Sequence, residues 1–227
     1  DCRKFIKENY PQSYLDYFDR LSNYKGSGPI KCDFWRCLIL YKYGGVYADS
    51  DIEPLVPIDE FLEKDTDFLT CITNNTEFLN PHLIISRPNN YFLEQCINIY
   101  SNNKFSSPYK YWGDNSHSIV WILTDVFSNL GIIQDKNNLN KDELILLKLM
   151  NNSIKIKYKI QLLTEVVYLN GFNQDFHKIY CTYKNKKILN NRHKLYNNNT
   201  HSYGSSKVEN NIFNNNFISF LFNFLKF

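Results

Sequence analysis

No stretch of about 18 consecutive apolar residues occurs in this 227-residue sequence, which excludes a helix spanning a bilayer. Basic residues are not gathered into blocks either. With 26 Lys and Arg against 23 Asp and Glu, the formal net charge is only +3. Nothing in this charge distribution demands nucleic acid or an anionic membrane as a partner. The six cysteines, at positions 2, 32, 37, 71, 96 and 181, include no C-x-x-C pair and are too sparse for a disulfide scaffold, so most read as buried free thiols. The opening Asp1-Cys2-Arg3-Lys4 lacks the apolar stretch of a signal peptide. The expectation is a soluble chain without an address of its own, cytoplasmic if complete and placed in the secretory lumen if an N-terminal anchor has been removed. No internal repeat is visible.

What is present suffices for one domain, since 43% of the residues are hydrophobic. Asparagine is abundant and occurs in short runs such as Asn197-Asn198-Asn199, alongside much Lys, Ile, Tyr and Phe. These residues share A/T-rich codons, so the bias reads as one of base composition rather than as a functional tract. The N-x-S/T triplets at Asn74, Asn151 and Asn198 carry the same discount, because an Asn-rich chain generates them by chance.

Along the chain, apolar spacing predicts two short amphipathic helices before Asn23, broken by Pro11. A loop follows over Lys25 to Pro29. A helix is then expected from an N-cap at Asp33 to Tyr43, stopped by Gly44-Gly45. Alternation over Val46 to Ile52 predicts a strand, closed by a proline-bounded turn at Glu53 to Pro57. Strands are expected at Phe68 to Thr73, at Leu83 to Ser86 and within Ile154 to Tyr168. Helices are expected at Tyr91 to Tyr100, Ser116 to Leu130 and Asp142 to Met150. Residues 1–207 read as one mixed α/β domain and residues 208–227 as an aromatic-rich tail packed on it.

Asp49-Ser50-Asp51 places two carboxylates two apart, which on a strand puts both on one face together with Tyr47. Two hard oxygen donors suit Mg2+ or Mn2+ and leave coordination positions for substrate phosphates. A lone D-x-D is weak, and Asp65-Thr66-Asp67 in this same chain reads as a solvated turn. Only Asp49-Ser50-Asp51 ends an apolar helix, glycine turn and apolar strand in succession. Asp33 and Arg36 project from neighbouring positions of one helix face, either as an intrahelical ion pair or as a polar clamp for sugar hydroxyls or phosphate.

The run from Asp33-Phe34-Trp35-Arg36 through Leu40, Gly44-Gly45, Tyr47-Ala48-Asp49-Ser50-Asp51 resembles the S-D-x-x-R-x-x-x-L-x-x-x-G-G-x-Y-x-D-x-D signature of the DXD-containing glycosyltransferases. That group includes fungal initiating α-1,6-mannosyltransferases, α-1,4-galactosyltransferases and, more distantly, glucosylating bacterial toxins. Cys32 stands where the family usually has Ser. Cys2 to Pro11, Asn80 to Pro88 and His201 to Ser206 are similar to further family segments. The last of these lacks the Trp that usually ends it.

The resemblance implies a GT-A fold, a Rossmann-like mixed sheet flanked by helices. Family members usually begin with a strand and a Trp-containing segment that help bind the base, and this sequence opens beyond that point, which implies either that the N-terminal part, with the first nucleotide-binding strand, is absent from this chain or that base recognition is built differently. The implied reaction is metal-dependent hexose transfer from a UDP- or GDP-sugar to a glycan, protein or lipid acceptor, with retention of configuration. Carried over, Asp49 and Asp51 would engage the ribose and the metal diphosphate, with Asp51 the more direct ligand of Mn2+ or Mg2+ and His201 completing the shell. Asp33 and Arg36 would hold donor-sugar hydroxyls, Tyr47 would lie near the nucleotide and Asn80 would touch the sugar. Asp49, Asp51 and Arg36 form the expected catalytic set. Metal and cation together would stabilise charge on the departing nucleoside diphosphate. Two other readings compete: a carbohydrate-binding protein on an inactive glycosyltransferase fold, and a D-x-D phosphohydrolase using Asp49 as nucleophile, which would want Thr or Val where Glu53 stands.

Overall fold

The computed structural model describes residues 2–23, 27–50, 52–73, 78–102, 118–132, 145–151, 154–169 and 177–191. Asp51, His201 and the tail 208–227 lie outside the described residues.

The chain enters through helices α1 (Cys2–Asn9) and α2 (Gln12–Leu21), which part at Pro11 as expected. Their buried residues, Ile6 on α1 and Leu15, Tyr17, Phe18 and Leu21 on α2, pack into one core with α3 (Gly28–Tyr43). Helix α3 begins before Asp33, because Pro29 occupies its first turn, where a missing N–H costs nothing and a fixed φ is helical already. Asp33 is therefore not the N-cap. It lies inside the helix and is fully buried.

Gly44 ends α3 by donating its N–H to the Leu40 carbonyl at 2.8 Å. Its backbone, at φ 65° and ψ −157°, occupies a region open in practice to glycine alone. A Cβ there would stand 2.7 Å from the Ser86 carbonyl oxygen and 2.8 Å from Pro88. Gly44→Ala is expected to cost at least about 1–3 kcal/mol in urea unfolding. A loss below about 0.5 kcal/mol would show that the helix-to-strand turn relaxes easily.

Among the described residues, eight strands form a single sheet: β1 (Gly45–Ala48), β2 (Ile52–Pro54), β3 (Phe68–Thr73), β4 (Leu79–Ser86), β5 (Ile145–Asn151), β6 (Ile154–Leu169), β7 (His177–Tyr183) and β8 (Lys186–Asn191). Their order is β1-β4-β3-β6-β7-β8-β2, with β5 also paired to β6. The pair β3 and β6 is parallel, and the other pairs are antiparallel.

Two sequence expectations are corrected here. The single strand expected over Val46 to Ile52 is two strands at opposite ends of the sheet order: β1 pairs with β4, and β2 pairs with β8. The Asp49 carbonyl, just after β1, accepts the Ile52 N–H of β2 at 3.1 Å, so the two ends of the sheet order meet and the sheet curls. Asp49 and Ser50 thus follow β1 outside the strand, while Asp51 lies outside the described residues. The helix expected over Asp142 to Met150 is also overturned, since Ile145–Asn151 forms β5 against β6. A short apolar run reads equally well as strand or helix until a pairing partner is known.

One core holds residues of α1 to α3, of α4 (Tyr91–Asn102) and of α5 (Ile119–Asn129), with Phe68, Ile72, Leu79, Ile84, Ile160 and Leu162 of the sheet. A second core joins Leu69, Leu83 and Leu163 to Ile52, Phe61 and Leu189, inside the curl. The result is a mixed sheet flanked by helices, consistent with a GT-A-like fold. No helix among the described residues is long and apolar enough to cross a membrane.

Candidate active site

Helix α3 and the end of β1 build the centre of the site. Arg36 Nη2 lies 2.9 Å from Asp33 Oδ1, one helical turn away, with both side chains buried. The other Asp33 oxygen accepts the Ile119 backbone N–H at 3.0 Å. Asp33 thereby caps the start of α5 from a different helix, where the positive end of the helix dipole favours a carboxylate. The ion-pair alternative raised from spacing is the observed one, and its partner helix was not legible in the sequence.

Arg36 reaches outward from this pair. Its guanidinium lies over the Tyr47 ring, 4.0 Å from the centroid, an arrangement in which the ring face attracts the cation. Nη1 donates to the Pro81 carbonyl at 3.2 Å, and Nη2 lies 3.6 Å from Asp49 Oδ1. Tyr47 donates its hydroxyl to that same Asp49 oxygen at 2.7 Å. Burial pushes the Tyr47 phenol well above its ordinary range, with Arg36 pulling the other way and Asp49 reinforcing the rise, so the hydroxyl stays protonated and donates. Asp49 is the outward end of this chain of contacts, its side chain 38% exposed. Burial therefore falls from Asp33 through Arg36 to Asp49.

Strand β4 supplies the other wall. Its pairing with β3 shifts register between Leu69 and Cys71, opposite residues that include Pro81. A proline that cannot donate to a ladder belongs at such a break. The irregular carbonyls are put to use: Pro81 holds Arg36, and His82 accepts the Asp49 backbone N–H at 2.8 Å. Half-buried Asn80 donates its amide to Glu165 Oε2 on β6 at 2.7 Å. Asp33, Arg36, Tyr47, Asp49 and the Asn80 to His82 segment are thus joined by direct contacts.

The control motif behaves as a turn. Asp65 adopts φ 62°, and Asp67 fixes the start of β3 by accepting the Lys159 backbone N–H at 2.8 Å and pairing with Arg87.

Sequence reasoning missed a second cluster. Cys71 on β3, His82 on β4 and Cys181 on β7 bring their ligand atoms within 4.8 Å of one another, all three buried. His82 Nε2 lies 3.1 Å from Cys181 Sγ, which lies 3.5 Å from Cys71 Sγ. The Cys71 hydrogen bond is the main influence holding the Cys181 thiol down, to about 6, with His82 assisting against burial. Burial works against the His82 imidazolium, but Cys181, Glu165 and Asp49 together raise it to about 9. Four of the six cysteines are buried free thiols, as expected, while Cys32 is exposed and Cys2 half-buried.

Residues 2–68 match the family described as glycosyltransferase sugar-binding region containing DXD motif. The matched segment runs from α1 to the first residue of β3 and includes Asp33, Arg36, Tyr47, Asp49 and Asp51. Asn80 and His201 fall beyond the matched segment. No curated protein and no solved structure matches the chain.

Proposed function

We propose that this protein transfers a hexose from a UDP- or GDP-sugar to a glycan, protein or lipid acceptor, using Mn2+ or Mg2+. The observation that carries this reading is the contact chain Asp33, Arg36, Tyr47, Asp49 within the family segment. It delivers one exposed carboxylate and one buried, pre-oriented cation to the same point. Asp49 is a hard oxygen donor in an accessible position and fits a hard divalent ion, unlike the Cys-rich cluster behind it.

In this reading Asp51 and Asp49 hold the metal diphosphate and the ribose, with His201 as a further candidate ligand. The bound ion would supply Lewis-acid stabilisation of the charge that develops on the leaving diphosphate. Arg36 adds a fixed positive charge near the same oxygens, preorganised because Asp33, Pro81 and Tyr47 already hold it. Asp33, fully buried, acts through Arg36 and is a positioning residue rather than a sugar contact. Asn80 is the candidate sugar contact on the β4 side, oriented by Glu165.

The reading is tested by thermal shift against UDP-, GDP- and their sugar conjugates, with and without Mn2+. Metal-dependent stabilisation by one nucleotide class is expected, since a ligand of the folded state raises stability by mass action. Stabilisation by a free glycan, with none by any nucleotide, would favour a carbohydrate-binding module. Tyr47→Phe keeps the ring under Arg36 but removes the hydroxyl from Asp49, and is expected to weaken donor affinity about tenfold. Unchanged affinity in titration calorimetry would remove Tyr47 from the site.

A further inference from the structure

We propose that Cys71, His82 and Cys181 form a zinc site inside the curled sheet, separate from the D-x-D motif and lying against the strand that supports it. The three residues come from strands β3, β4 and β7, and none is exposed. Two sulfurs and an imidazole nitrogen are the donor set that Zn2+ prefers, and one that Mn2+ and Mg2+ do not.

The distances suit an ion better than a disulfide. Two sulfurs bound to one zinc at about 2.3 Å, near the tetrahedral angle, stand about 3.8 Å apart. The observed Sγ to Sγ distance is 3.5 Å. A disulfide would require closure to about 2.05 Å. That closure would have to happen between β3 and β7, which pair with opposite edges of β6.

The surroundings of His82 point the same way. Its Nε2 faces Cys181, while the buried Nδ1 has no hydrogen-bond partner and lies 3.7 Å from Glu165 Oε2. A zinc-bound imidazole characteristically turns its second nitrogen to a carboxylate, which fixes the tautomer and raises the ligand's basicity. Glu165 is itself held by Asn80. Three protein ligands leave one position of the tetrahedron for a water or small anion. Two thiolates balance the ion's charge in an environment that tolerates none unpaired.

Such an ion would have a mechanical role. The His82 carbonyl accepts the Asp49 N–H, and the neighbouring Pro81 carbonyl holds Arg36. Zinc on the His82 ring would pin this irregular stretch of β4 to β3 and β7, and so brace the segment that presents Asp49. The proposal does not depend on the transferase reading, because the cluster is defined by its own donors.

The test uses the full chain, purified under reducing conditions without chelator. Elemental analysis is expected to find about one zinc per chain, and Cys181→Ser and His82→Gln are expected to lose most of it. Cys96→Ala, in the other core, should retain it. Because loss of a ligand can also disturb folding, the wild-type chain is also exchanged into Co2+. A thiolate-to-cobalt charge-transfer band with tetrahedral d–d bands is expected, whereas Co2+ on the D-x-D carboxylates gives no thiolate band. Absence of that band, zinc content unaffected by the variants, or a Cys71 to Cys181 disulfide in the non-reduced peptide map would each overturn the proposal.

Discussion

Alanine at Asp49 or at Asp51 is expected to lower donor turnover by about 10²–10³-fold, the scale on which removal of one transition-state stabilising group acts. Under the proposed function the loss would arise because these carboxylates would hold the ion that stabilises charge on the leaving diphosphate. For Asp49 the stability cost should stay near about 1 kcal/mol. Its side chain is 38% exposed, and its removal takes away the hydrogen bond from Tyr47 and the 3.6 Å contact with Arg36. Steady-state kinetics beside urea unfolding separates the two effects. Full turnover in either variant would sink the metal-dependent transferase reading, whereas turnover lost with stability kept is the signature of a site residue.

The largest stability effect is expected at Arg36. Arg36→Met removes the cation facing Asp33 and leaves a carboxylate that is fully buried, which costs about 3–5 kcal/mol when a buried pair is broken from one side. Adding Asp33→Asn should recover much of that loss, because the amide oxygen still accepts the Ile119 N–H without a charge to bury. Urea unfolding of the two single variants and the double variant gives the coupling directly. A cost below about 1 kcal/mol for Arg36→Met would mean that Asp33 is solvated and does not tie α3 to α5. Activity should stay low in the double variant, since restoring the fold does not restore the cation at Asp49.

How much of this was legible beforehand depends on how local each feature is. The contacts among Asp33, Arg36, Tyr47 and Asp49 join residues at fixed offsets along one helix, one glycine turn and the strand that follows, which is why that run stood out in the sequence. The placement of Asp33 was not legible. Apolar periodicity set the expected helix start beside it, but Pro29 had already begun the helix, and the residue that needs Asp33 is Ile119 on α5. Residues 46–52 alternate like one strand, yet β1 and β2 find partners at opposite ends of the sheet, a matter of topology that alternation cannot encode. The run Ile145 to Met150 carries no flanking signal that separates strand from helix, and pairing with β6 decided it.

The Cys71, His82 and Cys181 cluster was illegible for the same reason in a stronger form. Compact metal motifs announce themselves by ligands a few residues apart. Here the ligands are spread over three strands, with Cys181 separated from Cys71 by 110 positions. The register of the sheet brings them together.

The measurement that tests the central claim most directly is product analysis with each UDP- and GDP-sugar in the presence and absence of Mn2+, following free nucleoside diphosphate and inorganic phosphate together. The account predicts nucleoside diphosphate released from one donor only when the metal is present, in the wild type and not in Asp51→Ala. Inorganic phosphate from simple monoesters, or nucleoside diphosphate release that is unchanged by metal and by Asp51→Ala, would contradict it.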